Sequence, residues 1–211
     1  MRILMFDLAS HITGWCLYDV AAGSPIAHGV ITIDRGGDNP DYDLKEALRK
    51  TMASFHDGDL LVSTEAMPTQ LHSGASTIKV FIAMAQAHAD LAIACAEAGL
   101  PMYDRVGVYP ASTHAYLRRL LGKDMSFKPS KDDIRFYCCD LWHLNIESVS
   151  YDESDAMFLA KTLVDVKWDK DIDERIKDLK RHRKGLKEPS AIAKIDKEIA
   201  EAASHRLHKE D

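Results

Sequence analysis

The chain is short of the features that would place it in several common classes. Its four cysteines, Cys16, Cys95, Cys138 and Cys139, form no C-x-x-C pair. That excludes a zinc ribbon and a thioredoxin-like redox motif and leaves reduced thiols as the expectation. Ten histidines are scattered without metal-ligand spacing around those cysteines, so no structural zinc is expected. No apolar run is read as approaching the roughly 18–20 residues a membrane span needs, and no membrane partner is expected. The opening Met1–Phe6 is basic and then apolar, but it stops at Asp7 with no small-residue cleavage site after a longer apolar stretch. A signal peptide is therefore not expected, and a cytoplasmic, soluble location is. Excess positive charge is also missing: the net charge is −6, which counts against a nucleic-acid binder unless basic side chains are local and metal ions offset the acids at a site.

What is present suits one α/β domain with an appendage. At 211 residues, 46% hydrophobic and 28% charged, the chain has the balance of a globular protein large enough to bury a core. Residues 2–7 are an apolar run ending in an acid. Ser10–Gly14 reads as a turn, Trp15–Tyr18 as a second strand, and Ala27–Ile33 as a third. Gly36–Pro40 is a loop. Leu44, Leu48, Met52 and Phe55 then repeat at helical spacing, ended by Asp57-Gly58-Asp59. Leu60–Glu65 is a fourth strand, again finishing on an acid, and 66–74 is a loop. Ala75–Ala98 is one long Ala-rich helix, with Gly99 in the position of a C-terminal cap. Met102–Tyr109 is a fifth strand, weakened by Gly107. Helices follow at 111–121, 131–143 and 152–166, with a polar loop at 123–130. Three strands followed by alternating strands and helices make a mixed five-stranded sheet with helices packed on it.

Composition changes after Trp168. Residues 169–211 carry 12 Lys/Arg and 11 Asp/Glu, leaving 15 and 22 in the first 168. Residues 169–184 and 190–207 read as highly charged helices whose sparse apolar residues (Ile172, Ile176 and Leu179; Ile192, Ile195 and Ile199) give one narrow seam. The expected division is a domain at 1–168 and a charged helical hairpin at 169–211. The Lys180-Arg181-His182-Arg183-Lys184 cluster could grip phosphates, or the hairpin could serve as a dimer or solvent-facing element.

Four carboxylates stand out. Asp7 and Glu65 end strands, where ligands bind in such sheets, although acids also end strands simply because they meet water. Asp152 and Asp155 share one face of their helix with Ala156, Leu159 and Leu163. An unpaired carboxylate on a buried face is costly, so a cation or special partner is needed. Capping is the other reading: Ser150 and Glu153 fit an S-x-x-E box, and acids in a first turn suit the helix dipole. That explains Asp152 better than Asp155, which points where Leu159 points. Two strands and a helix supplying four acids match what hard divalent cations take, and two such ions can activate water and stabilise a departing oxygen in phosphodiester hydrolysis.

With those residues in place, the chain resembles the RuvC-type Holliday-junction resolvases of the RNase H-like superfamily. The likeness runs through Ile3–Ser10 with Thr13-Gly14, Thr64-Glu65, and Tyr151-Asp152-Glu153-Ser154-Asp155-Ala156. It spans about residues 1–166. The resemblance implies an RNase H-like fold, Asp7, Glu65, Asp152 and Asp155 as metal-binding catalytic residues, two Mg²⁺ ions that Mn²⁺ can replace, a homodimer, and cleavage of four-way DNA. It also implies a catalytic Lys131 near the scissile phosphate, in Lys128-Pro129-Ser130-Lys131, with Lys128 and Arg118 or Arg119 as DNA-binding candidates. A solvated helix face is the other reading of those basic residues. Three departures bear on selectivity: Asp7-Leu8-Ala9 stands for the family's D-P-G, Met125-Ser126-Phe127 replaces glycines before the basic helix, and Met67-Pro68 takes the place of a junction-wedging aromatic. A general branched-DNA, flap or fork nuclease and a non-catalytic DNA-binding scaffold are the alternatives. An actin-like ATPase would need Gly-rich phosphate loops and usually a duplicated domain, and neither is found.

Overall fold

Every side chain from Ile3 to Phe6 is buried, as in a central strand covered on both faces. This strand, β1 (Arg2–Asp7), pairs antiparallel with β2 (Ile12–Asp19), which pairs antiparallel with β3 (Ser24–Thr32). On its other side β1 pairs in parallel with β4 (Leu60–Thr64), giving a mixed sheet in the order β3-β2-β1-β4. The computed structural model describes residues 1–9, 11–33, 40–55, 59–67, 75–103, 107–186 and 188–206. The expected features at Ser10, 36–39, 57–58, Pro68 and Gly74 lie outside these residues.

The sheet departs from expectation in two places. Its described strands number four, not five. Among the described residues of the expected strand at 102–109 there are two isolated parallel bridges, Val62 to Met102 and Glu65 to Val108. Gly107, beside the second bridge, has a φ of 66°, outside the extended range. The stretch read as a turn before Trp15 is instead strand from Ile12 onward, because Ile12, Thr13 and Gly14 pair with Thr32, Ile31 and Val30.

Period-2 alternation divides the sheet into two faces. Leu4, Phe6, Leu17, Leu60 and Val62 pack with Leu44, Leu48 and Met52 of α1 (Pro40–Ala53) and with Ala87, Leu91, Ala94 and Cys95 of α2 (Ala75–Ala98). Gly99, at φ 66°, ends α2, and Leu100 N–H bonds back to the Cys95 carbonyl at 2.9 Å. The segment Ile78–Ala98 is long and apolar enough, by length and composition, to cross a membrane, at mean hydropathy 1.4. This corrects the reading that no such run exists. Single polar residues such as Gln86 and His88 interrupt the run without lowering its average far.

On the opposite face lies α5 (Tyr151–Thr162), in contact with β1, β2, β3, α3 (Pro110–Leu120) and α4 (Lys131–Leu141). Hemmed in on several sides, α5 buries Ser154, Met157, Phe158 and Ala160 as well as the expected stripe of Ala156 and Leu159.

The chain divides into two units, Met1–Thr162 and Leu163–Asp211. The second begins with a π-helical stretch, Leu163–Lys167, and continues as α6 (Trp168–Lys184) and α7 (Pro189–Ser204). Within it Ile176, Ile195 and Ala202 are buried, and Trp168 Nε1–H donates to the His205 carbonyl at 2.8 Å.

Candidate active site

Register and alternation bring the first two acids together. Ile3 lies beside Leu61 and Met5 beside Ser63 on the parallel pair β1–β4. Two residues further, Asp7 and Glu65 fall on the same face, the one covered by α5. Glu65 N–H bonds to the Phe6 carbonyl at 3.3 Å, and Glu65 forms a bridge to Val108. Gly107 makes that bridge possible: a Cβ there would lie 2.3 Å from the Thr64 carbonyl oxygen.

The second pair of acids comes from the start of α5, and a glycine sets its distance from the sheet. Gly14 pairs with Asp7 across β1–β2. A Cβ on Gly14 would meet the Asp152 carbonyl oxygen at 1.9 Å, so only glycine lets the first turn of α5 lie against β2. A capping box fastens that turn: Glu153 N–H donates to Ser150 Oγ at 3.2 Å, and Ser150 N–H donates to Glu153 Oε2 at 2.8 Å. The other oxygen of Glu153 lies 2.7 Å from His28 Nδ1 on β3. Burial opposes the charge on Glu153, but these hydrogen bonds outweigh it and hold the carboxyl below its ordinary range. The capping hydrogen bonds are thus made by Ser150 and Glu153, while Asp152 is an acid of the first turn, where it suits the helix dipole.

Asp7, Glu65 and Asp155 line one cavity of about 380 Å³ with Thr113, His114 and Lys131. Lys131 stands at the first position of α4, after a Ser130–Asp133 capping box, with its Nζ 3.0 Å from Asp155 Oδ2 and 3.8 Å from Asp152 Oδ1. A hydrogen bond from Tyr151 Oη to Asp132 Oδ1, at 2.7 Å, ties the start of α5 to the start of α4.

The electrostatics are those of too many acids for one cation. Burial, then the fields of Glu65 and Asp155, push the Asp7 carboxyl up to about 8. Burial and the field of Asp155 push Glu65 up to about 7. Asp155 is also raised, by burial first, with the Lys131 hydrogen bond acting against the rise. Burial works against the charge on Lys131, but its acidic neighbours raise the ammonium's pKa on balance. Asp155 Oδ1 is buried and has no hydrogen-bond partner among the described residues. These oxygen donors suit a hard divalent cation. Among the described residues no three His, Cys, Asp or Glu side chains are already gathered round one ion position. Lys131 is the cation that Asp152 and Asp155 share.

No family model matches the chain, and no curated protein matches it. Solved structures do. Thermus thermophilus RuvC in complex with a Holliday-junction substrate matches at a TM-score of 0.58 and 13% identity, over 77% of this chain and 91% of that one. The fold is RuvC-like. A second T. thermophilus RuvC structure matches at 0.55 and 15% identity, over 77% and 92%.

Within this RuvC-like fold the basic candidates separate. Lys131 lines the cavity, while Arg118, Arg119 and Lys128 do not. Arg118 reaches the Phe127 carbonyl at 3.5 Å and so braces the loop before α4. Arg119 lies over the Tyr116 ring, 5.0 Å from its centroid. Lys128 is exposed. His28, Thr113 and His114 carried no sequence signal, because nothing in their neighbours along the chain shows what lies across the fold from them.

Proposed function

We propose that this protein is a metal-dependent, structure-selective endonuclease that resolves four-way DNA junctions by phosphodiester hydrolysis. One observation carries the reading: acids from two neighbouring strand ends and from α5 face a single cavity, with Lys131 at its wall, on a RuvC-like fold. Mg²⁺ ions, or Mn²⁺ in their place, held by Asp7, Glu65, Asp152 and Asp155 would supply the positive charge that activates water and stabilises the departing oxygen. The chain's own part is to hold those acids rigidly and keep them short of positive charge until ion and phosphate arrive. Lys131, 60% exposed at its side chain, is free enough to turn toward a phosphate oxygen.

The test is a labelled four-way junction, a fork and a linear duplex, each incubated with the protein in Mg²⁺ or EDTA. Junction cleavage that needs Mg²⁺ and exceeds cleavage of the fork is expected. Equal cutting of fork and junction would favour the broader branched-DNA nuclease, and binding without cutting would favour a non-catalytic scaffold. Asp7→Asn should lower cleavage by at least roughly 100-fold while DNA binding persists; loss of both together would remove the catalytic assignment.

A homodimer belongs to the same reading, since a junction presents two symmetric strands. Its support is the exposed side of α2, where Ile78, Ile82, Ala89, Ile93 and Ala96 lie on one stripe. Small alanines between isoleucines let two copies of one helix approach closely about a two-fold axis.

A further inference from the structure

We propose that the C-terminal hairpin is a second, separate phosphate-binding element, which grips the backbone of the DNA through Lys177, Lys180 and Lys184 with Arg206; the choice of DNA as ligand rests on the nuclease reading above. These four residues, with Arg181 and Asp173, line a cavity of about 500 Å³ contained within the hairpin. Five cations therefore share that space with one carboxylate.

The pairing of the surrounding charges sets this face apart. Arg183 is held by Asp196 at 2.5 and 3.1 Å, Arg181 by Asp178 at 3.0 Å, and Arg206 by Asp173. Lys177, Lys180 and Lys184 are exposed and make no ion pair among the described residues. Like charges three and four residues apart weaken a helix, so the row is poor for α6 itself. Favourable interaction with the helix dipole accounts for cations in the last turn, Lys184 among them, but not for Lys177 and Lys180 further back. Arg206, from beyond α7, lines the same cavity; Asp173 holds one of its terminal nitrogens, but its Nε is buried with no hydrogen-bond partner among the described residues, which leaves that donor over.

The spacing selects the ligand. Lys177 to Lys184 spans about 10 Å along the helix axis, the length over which one DNA strand presents about three phosphates. A membrane surface would need apolar side chains at the rim to insert. The apolar lining residue here, Ile176, is itself buried. The contiguous run at 180–184 is therefore not the binding unit, because Arg183 is committed to Asp196 and His182 lines a different cavity with Leu179 and Leu186.

The experiment uses the full chain carrying Asp7→Asn, so that DNA survives, and measures its affinity for a four-way junction and a duplex over a range of salt. Adding Lys177→Ala, Lys180→Ala and Lys184→Ala together should weaken binding at least about tenfold and flatten the slope of log K against log salt by roughly two to three. The same three positions changed to Arg should restore both. Lys194→Ala with Lys197→Ala, on α7, should change neither. Unchanged affinity and slope in the triple variant overturn the inference while leaving the nuclease reading intact. Failure of the Asp7→Asn chain with an intact hairpin to bind any DNA at low salt overturns both. Binding to phosphatidylserine vesicles that depends on the three lysines, with DNA affinity unmoved, assigns the face to lipid and overturns the inference.

Discussion

Asp7 and Glu65 sit where a carboxylate is least comfortable, buried and close to other acids, and their carboxyls rise to about 8 and about 7 as a result. The sign of the consequence follows from linkage. Both folded-state values lie above the ordinary carboxylate range, so the folded protein holds protons that the unfolded chain has already lost. That contribution is complete below about pH 4 and disappears as pH rises through 7 and 8. In EDTA, the thermal midpoint of Asp7→Asn should therefore exceed that of the native protein by a margin that widens from pH 5.5 to pH 8, reaching about 3 °C or more. Under the proposed function, Mg²⁺ should raise the native midpoint at pH 8 far more than at pH 5.5, and should do little for Asp7→Asn. A scanning-fluorimetry series that found the two proteins parallel across pH would show that Asp7 ionises without penalty, and the crowded-acid account would fail.

At the scale of elements, everything depends on how closely α5 approaches the sheet. Gly14→Ala puts a methyl group 1.9 Å from a backbone oxygen of α5, and a helix cannot yield there without carrying Asp152 and Asp155 with it. The variant should lose several degrees of thermal stability and most of any cleavage. Gly185→Ala, where the nearest atom would be 3.5 Å away, should be neutral in both assays. His28→Gln removes the partner of Glu153 from β3, and a smaller loss is expected, read as a reduced cleavage rate with DNA binding retained. The sequence makes part of this architecture legible. Acids that close apolar runs mark the ends of β1 and β4, and a three-residue offset puts Asp152 and Asp155 on one face of α5. Local spacing could not reveal the contact of His28 with Glu153, 125 residues apart, or the reason for glycine at 14, because both are properties of packed surfaces. The expected fifth strand is the converse case. Its apolar residues suggest a strand, but its described residues form two isolated bridges, and Gly107 beside the second has a left-handed backbone.

For the molecule as a whole, the proposed homodimer makes the exposed apolar side of α2 the surface to test. Ile82→Glu with Ile93→Glu should leave the fold and its far-ultraviolet dichroism unchanged, yet convert a dimer to a monomer in sedimentation velocity and unlink the two cuts on a junction. A native protein that already sediments as a monomer at micromolar concentration would reject the pairing. The placement of α5 has a further consequence, for synthesis on the ribosome. The acids of the cavity come from opposite ends of the first unit, with Asp155 translated well after Asp7, and α5 is also what covers the Asp7 face of the sheet. A nascent chain stopped before residue 151 thus leaves that sheet face bare and the acid set incomplete. Such a chain should require chaperone protection and, under the proposed function, should cut no DNA until translation of the first unit is nearly finished.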